Sequence, residues 1–108
     1  MDTKLLKGKC ALVTGAYRNL GSITAESLAR NGADVVINGT GRAASKDDRE
    51  RVLENIRSHD VKAMAVEADL GSSEAVRGLC EKALDAISRI DIVVNNIFNN
   101  GVFSSLHI

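Results

Sequence analysis

A glycine-bearing turn near the N-terminus carries the residue pattern with the clearest chemistry in this chain. It follows a short apolar run, precedes an amphipathic stretch, and consists of Thr14, Gly15, Ala16, Tyr17, Arg18, Asn19, Leu20 and Gly21. A strand, such a turn and a helix in that order present unpaired N–H groups and the positive end of the helix dipole to a ligand. Backbone of this kind suits a pyrophosphate, so the turn predicts a dinucleotide site. The alternative is a plain strand-to-helix turn without a ligand.

Two glycines and one asparagine give the turn its predicted geometry. Gly15 allows a tight reversal of the chain, and Gly21 allows the following helix to pack close to the sheet. Position 19, where the backbone should approach the pyrophosphate, holds Asn19. Asparagine is among the few residues that adopt positive φ readily, and its amide can donate a hydrogen bond to a phosphate oxygen. The substitution therefore weakens the motif without removing its mechanism.

The end of the second predicted strand indicates which dinucleotide the turn would hold. Sites for NAD place Asp or Glu about 20 residues beyond the turn, where it binds the ribose 2′-hydroxyl. Here the segment has no carboxylate and consists of Asn38, Gly39, Thr40, Gly41 and Arg42. Gly39 leaves room and Thr40 offers a hydroxyl, while Arg42 can clamp a phosphate and Arg18 adds a second positive charge. Two arginines without an acid favour NADP over NAD, unless both are simply solvated.

Polar residues also follow the third and fourth predicted strands, at the sheet edge where ligands bind in such folds. Asp69, which precedes Leu70, can accept a hydrogen bond from an adenine amino group or cap the next helix. Asn95 and Asn96 end the fourth strand, where their amides can face the ligand or tie neighbouring strands together. The residues alone leave both pairs of alternatives open.

Alternating strand and helix patterns supply the frame for these residues. Continuous apolar runs predict parallel strands at residues 10–14, 34–38, 63–67 and 90–95. Helical spacing predicts helices at residues 20–31, at residues 46–58, and from Ser72 or Ser73 onward.

These elements define the predicted fold class. Right-handed crossovers predict an α/β fold, the N-terminal half of a Rossmann-type doubly wound parallel sheet with four strands in the order 3-2-1-4. The predicted inward face of the first helix consists of Leu20, Ile23, Ser27 and Leu28, with Ala25 and Ala29 nearby. We expect residues 1–96 to form a dinucleotide-binding half-domain and residues 97–108 to form an irregular tail. The fourth strand would then be an uncovered edge that invites self-association unless the tail covers it.

Composition limits what the chain can bind. It has 108 residues, with 14 basic and 14 acidic side chains and 3% aromatic residues. A neutral chain poor in aromatic residues offers neither a nucleic-acid surface nor a base-stacking platform. No apolar run approaches the roughly 18–20 residues of a membrane span, no secretory signal is visible, and Cys10 and Cys80 lack metal or redox spacing. We therefore expect a cytoplasmic protein with no metal site that binds neither nucleic acid nor membrane.

Over residues 6–96 the chain resembles the short-chain dehydrogenase/reductase family, most closely its acyl-carrier-protein ketoreductase-type members. Residues 9–15 resemble the family's first strand, and the turn is similar to its T-G-x-x-x-G-x-G motif, with Asn19 in place of the middle glycine. Residues 91–96 resemble the fourth strand and the start of the N-N-A-G motif.

The resemblance implies NADP(H) as the cofactor and hydride transfer between NADPH and a carbonyl or hydroxyl substrate. Arg18 matches a basic residue that often precedes the middle glycine in members that prefer NADP. Thr40 falls where related reductases touch the adenosine phosphate of the cofactor, and Asp69 and Leu70 fall where the family contacts adenine.

Two departures from the family pattern limit the predicted activity. Ile97 and Phe98 replace the Ala-Gly of the N-N-A-G motif, and the family's downstream Ser, Tyr-x-x-x-Lys and further Asn have no counterpart. The single tyrosine, Tyr17, belongs to the turn and is followed four residues later by Gly21 instead of Lys. We assign no catalytic residue and expect an NADP(H)-binding portion, truncated after the fourth strand and inactive alone. The alternative is a non-catalytic nucleotide-binding or dimerisation module.

Overall fold

The chain folds around a mainly parallel sheet. The structure is a computed structural model that describes residues 4–40, 46–96 and, for the backbone only, 105–107. The elements in chain order are β1 (Cys10–Thr14), α1 (Asn19–Arg30), β2 (Asp34–Gly39), α2 (Lys46–Arg57), β3 (Ala63–Glu67), α3 (Ser73–Ile87), β4 (Ile92–Asn95) and β5 (Ser105–His107).

The strand order confirms the predicted fold class. Within the described residues the sheet has the order β3-β2-β1-β4-β5, and β1 to β4 are all parallel. In the centre of the sheet Leu12 of β1 pairs with Val36 of β2 on one side and with Val93 of β4 on the other. This arrangement brings the carboxyl ends of β1, β2 and β4 to one edge, and the glycine-bearing turn leaves β1 at that edge.

Both faces of the sheet are covered by helices. Alternate residues of a strand point to opposite faces, and the central strands divide accordingly between two apolar clusters. Val13, Val35 and Ile37 belong to the cluster covered by α1 and α2. Leu12 and Val36 belong to the cluster covered by α3. The continuous apolar runs of β1 and β2 follow from this two-sided burial.

The inward face of α1 differs from the predicted one. Leu20 and Ile23 are 56% and 62% exposed, and the buried positions of the helix are Gly21, Ala25 and Ala29. Small side chains at these positions let the helix axis approach the sheet closely, so the larger side chains are turned outward. The expectation that Leu20 and Ile23 face the core was therefore wrong, because apolar spacing does not show how close the helix comes.

The C-terminal residues also differ from the prediction. Ser105–His107 form β5, which pairs antiparallel with β4, with Val94 opposite Leu106. The outer edge of β4 is therefore paired, which is the case that the prediction set apart, an edge covered by the tail. Three residues in an antiparallel pair are too short to show a recognisable period in sequence. The rest of the predicted irregular tail, residues 97–104 and 108, lies outside the described residues.

Polar contacts fix β4 against β1 at the amino ends of these strands, opposite the turn. The backbone N–H of Cys10 donates to Asp91 Oδ2 at 2.9 Å, and the N–H of Asp91 donates to the Cys10 carbonyl at 2.8 Å. Arg89 lies 2.9 Å from the same carboxylate. The Arg89 guanidinium and then the Cys10 N–H hold the pKa of the Asp91 carboxyl below its ordinary value.

Among the helices that the structure describes, none has the length and apolar character needed to cross a lipid bilayer.

Candidate functional site

The turn between β1 and α1 has the backbone conformation of an anion-binding loop. Gly15 has a φ of +57°, and Asn19 adopts the positive φ, +55°, that its place in the motif predicts. A Cβ at Gly15 would lie 2.8 Å from the Asn96 carbonyl oxygen, so the turn also passes close to the end of β4. Positive φ at two points lets the backbone curl over the start of the helix.

The start of α1 leaves its N–H groups open. Arg18 occupies the cap position with extended backbone, and in the described structure its side chain makes no capping hydrogen bond. The first turn of the helix contains no acidic residue. A Cβ at Gly21 would lie 2.8 Å from the Gly15 carbonyl carbon and 2.9 Å from Ala16 Cα, so only glycine fits this junction. The helix thus directs its positive dipole end and free donors toward the concave side of the turn.

A cleft of about 210 Å³ lies beside the turn at the carboxyl edge of the sheet. It joins the turn to the end of β2 and is lined by Gly15, Tyr17, Arg18, Asn19, Gly39 and Thr40. None of these lining residues is acidic. A larger groove of about 570 Å³ lies between β3 and α3, but it shares no lining residue with the turn and has none of its features. The smaller cleft is therefore the candidate site.

Arg18 is the positive side chain of this cleft. Its side chain is 63% exposed, and its Nε lies 3.7 Å from Asp48 Oδ2 of α2. The same carboxylate accepts from Arg51 at 2.6 Å, which is the shorter of its two contacts. Arg18 is thus only loosely held by a protein partner and remains available at the mouth of the cleft. Arg42, the second arginine predicted here, lies outside the described residues.

Tyr17 lines the cleft, and its ring is buried in the core beneath the turn. Its side chain is 4% exposed and belongs to the apolar cluster under α1 and α2, with the ring against Gly39. Its hydroxyl has no hydrogen-bond partner among the described residues. Burial, and then the nearby Glu67 carboxylate, raises the pKa of Tyr17 to about 12. The phenol therefore stays neutral at physiological pH.

Asn38 holds the end of β2 and was not predicted as a site residue. Its Nδ2 donates to the Val66 carbonyl at 3.0 Å and to the Ala68 carbonyl at 3.3 Å. The N–H of Ala68 in turn donates to the Gly39 carbonyl at 3.0 Å. These bonds fix the segment after β3 to the floor of the cleft. In the sequence, the one indication of this role is that Asn38 is a polar residue directly after the apolar run 35–37.

The segment after β3 resolves one of the alternatives for Asp69. The cap of α3 is Ser72, whose hydroxyl accepts from the Ala75 N–H at 3.1 Å, so Asp69 is not the capping residue. Asp69 is exposed, and Leu70 is partly buried against the cluster under α3. Both follow the carboxyl end of β3, although neither lines the cleft described above.

Thr14, Asn95 and Asn96 join the ends of β1 and β4. The Thr14 hydroxyl donates to Asn95 Oδ1 at 2.7 Å and accepts from the Asn96 N–H at 3.1 Å. The Asn95 side chain therefore ties two strands together, as one of its two predicted alternatives states. The Asn96 side-chain amide is buried, and its Nδ2 has no hydrogen-bond partner within the described residues.

The fold and this site together define a protein class. A doubly wound sheet with a glycine-bearing turn after β1 is the class of fold that binds dinucleotides at the carboxyl edge. The chain belongs to the short chain dehydrogenase family, whose model matches residues 9–105. An uncharacterized oxidoreductase of Methylorubrum extorquens is 43% identical over 91 residues, which make up 84% of this chain and 36% of that protein.

Solved structures of similar proteins carry either of two cofactors. A short chain dehydrogenase from Burkholderia cenocepacia in complex with NADP is 35% identical, with a TM-score of 0.75 over 82% of this chain and 35% of that one. An NAD+-bound xylitol dehydrogenase is 31% identical, with a TM-score of 0.72 over 81% of this chain and 32% of that one. The chain therefore spans about a third of the length of these relatives, and family membership alone does not decide the cofactor.

Proposed function

We propose that this chain is the NADP(H)-binding part of an oxidoreductase, with NADP(H) preferred over NAD(H). The observation that carries the proposal is the open start of α1 behind a turn with positive φ at Gly15 and Asn19. NADP(H), when bound, supplies or accepts a hydride at its nicotinamide ring, which would be exchanged with a carbonyl or hydroxyl substrate.

The described residues fit such a cofactor. Gly15 and Gly21, where a Cβ would come within 3 Å of other backbone atoms, let the turn pack tightly against the end of β4 and the start of α1, which leaves the turn N–H groups beside the cleft. The N–H groups of the turn and of α1 would bind the pyrophosphate. Arg18 and Thr40 would bind the additional phosphate of NADP(H), where an NAD site would instead need an acid.

We further propose that the 108-residue chain binds the dinucleotide without reducing a substrate. Its single tyrosine, Tyr17, is buried in the core, and Gly21 stands where the family's Lys would be. A nucleotide-binding or dimerisation module is the second candidate function, and the same buried tyrosine supports it. Steady oxidation of NADPH by the pure chain in the presence of a ketone substrate would contradict both.

Titration of the full chain with NADPH and with NADH tests cofactor choice. We expect tighter binding of NADPH, and Arg18→Ala should weaken it about tenfold, because a charge-assisted hydrogen bond contributes roughly 1.5–3 kcal/mol. Binding of NADH should change little, since NADH lacks the additional phosphate. Isothermal titration calorimetry measures both affinities.

Arg51→Ala is the matched control for this experiment. Arg51 contacts the same Asp48 carboxylate and has a similarly exposed side chain, 61%, but it does not line the cleft. We expect its substitution to leave both affinities unchanged. Equal affinity of the wild-type chain for the two nucleotides would contradict the proposed preference, and absence of binding would contradict the proposed function itself.

A further inference from the structure

Gly39 is a glycine that the backbone does not require. It is the last residue of β2, it is buried, and its φ lies outside the positive region occupied by Gly15. A Cβ at this position would nevertheless lie 2.7 Å from Cγ of Tyr17 and nearer still to Cδ2 and Cε2 of the same ring. The Tyr17 ring, and not the local backbone, is therefore what requires glycine here.

The two partners of this contact are held in place. Tyr17 is only 4% exposed, so its ring is packed on nearly all sides. The N–H of the neighbouring Ala16 donates to the Asn38 carbonyl at 2.9 Å. On the other side, the Gly39 carbonyl accepts from the Ala68 N–H at 3.0 Å. One bond joins the turn to β2, and the other joins β2 to the residue that follows β3. Moving either Tyr17 or Gly39 away from the other would therefore break a backbone hydrogen bond.

Position 39 faces the cleft side of the sheet. Side chains alternate along a strand, so a side chain at position 39 would share the face of Val35 and Ile37, under α1. Gly39 lines the cleft beside the start of α1. Asn38 faces the other way and is bonded to the Val66 carbonyl. The last residue of β2 is thus the strand position from which an acidic side chain would enter the cleft, where an NAD site holds the ribose 2′-hydroxyl.

We propose that Tyr17 is a specificity-determining residue that acts through Gly39. Its ring occupies the space in which a side chain at the end of β2 would begin, and so excludes a ribose-binding carboxylate and leaves the cleft free for a phosphate. This proposal rests on the proposed function for its ligand, but the contact that carries it can be tested without any ligand.

Thermal unfolding of four proteins tests the contact. Gly39→Ala in the wild-type chain should lower the Tm by roughly 5 °C or more, because an extra methyl group overpacks a filled site. Tyr17→Ala should also lower the Tm, since it leaves a cavity. In the Tyr17→Ala background, Gly39→Ala should cost nothing or raise the Tm. Equal losses in the two backgrounds would overturn the proposal.

Two further variants keep this test decisive. Gly78→Ala is the matched control, because Gly78 lies in α3 and a Cβ there would meet no described atom within 4 Å other than its own helix backbone and chain neighbours, so the Tm should not fall. Tyr17→Val, which lacks the ring atoms, replaces Tyr17→Ala if the larger cavity prevents folding. Loss of stability by Gly39→Ala in the Val background would also count against the proposal.

Nucleotide titration then tests specificity. In the Tyr17→Val background, Gly39→Asp should lower the affinity for NADPH about tenfold through repulsion of its additional phosphate, and should raise the affinity for NADH. If the wild-type chain binds neither nucleotide, the proposed function fails while the unfolding cycle still reports on the contact. If the wild-type chain prefers NADPH and Gly39→Asp leaves that preference unchanged, only the specificity proposal fails.

Discussion

Tyr17 combines a place in the turn with a place in the core. The backbone on either side of it belongs to the candidate cofactor site, whereas its ring packs under α1 and α2. Its buried hydroxyl lacks a partner among the described residues. An unpaired buried hydroxyl lowers the free energy of unfolding. We therefore regard the ring as the functional part of this side chain and expect the hydroxyl to destabilise the fold.

Tyr17→Phe therefore should raise the free energy of unfolding by about 1 kcal/mol at neutral pH, because it removes an unpaired buried polar group and keeps the ring. Chemical denaturation of both proteins measures the difference. A less stable Phe variant would show that the hydroxyl has a partner after all.

The same substitution has a pH signature. The folded state raises the pKa of Tyr17 to about 12, so it favours the neutral phenol. The resulting stability is fully present below the ordinary tyrosine pKa of about 10 and is lost as the pH rises toward 12. The Phe variant should lack this loss. Because Tyr17 is the single tyrosine, ultraviolet titration of the folded chain reads its pKa directly, and an ordinary value would contradict the burial argument.

At the scale of elements, the β1–β4 pair is held by polar contacts at both ends, and only one end lies beside the candidate site. At the carboxyl end Thr14 joins Asn95 and Asn96 beside the candidate site. At the amino end Asp91 receives the Cys10 N–H and the Arg89 guanidinium. The contacts of Asp91 lie away from the candidate site. Their role is to fix the register of β4 against β1, which places Asn95 and Asn96 beside Thr14.

Asp91→Asn should lower the Tm at neutral pH, because the carboxylate is stabilised in the folded state by Arg89 and by the Cys10 N–H. Since the folded pKa of Asp91 lies below its ordinary value, this stability is present at higher pH and is lost as the pH falls below about 4. The difference in Tm between the two proteins should therefore shrink on acidification. Asp85→Asn, on the exposed side of α3, is the control and should leave the Tm at neutral pH unchanged. A difference that stays constant with pH would contradict the argument.

At the scale of the whole molecule, β5 decides which strand is exposed at one edge of the sheet. Its antiparallel pairing covers the backbone of β4, whose Val93 and Val94 are partly buried. Uncovered edges of apolar parallel strands invite pairing between chains. The C-terminal strand thus protects the β4 edge of the described sheet from such pairing.

A chain shortened to residues 1–96, which lacks β5, should associate more strongly than the 108-residue chain. The reason is the exposed row of β4 backbone groups. Sedimentation velocity over a range of concentrations measures the mass of each. Val93→Lys in the shortened chain should reduce the association, since a charge on an edge strand opposes pairing. Equal masses for the long and short chains would contradict the protective role of β5.

The sequence by itself determined the order of elements and the position of the turn. Unbroken apolar runs such as residues 35–37 mark strands buried on two faces, and Gly15 and Asn19 mark the backbone of positive φ, because these are local constraints. The inward face of α1, the pairing of β5 and the strand-tying role of Asn38 depend on what lies across the sheet. No local pattern encodes those distances.

Tertiary structure alone decided what Tyr17 and Gly39 do. In the sequence Tyr17 is a turn residue and Gly39 is a glycine at the end of a strand, 22 positions further along the chain. In the fold they meet because β1 and β2 lie side by side and the turn bends back over β2. The absence of an acid near Gly39 was visible from the sequence. Its cause was not, because steric exclusion between residues far apart along the chain exists only once the sheet has brought them together.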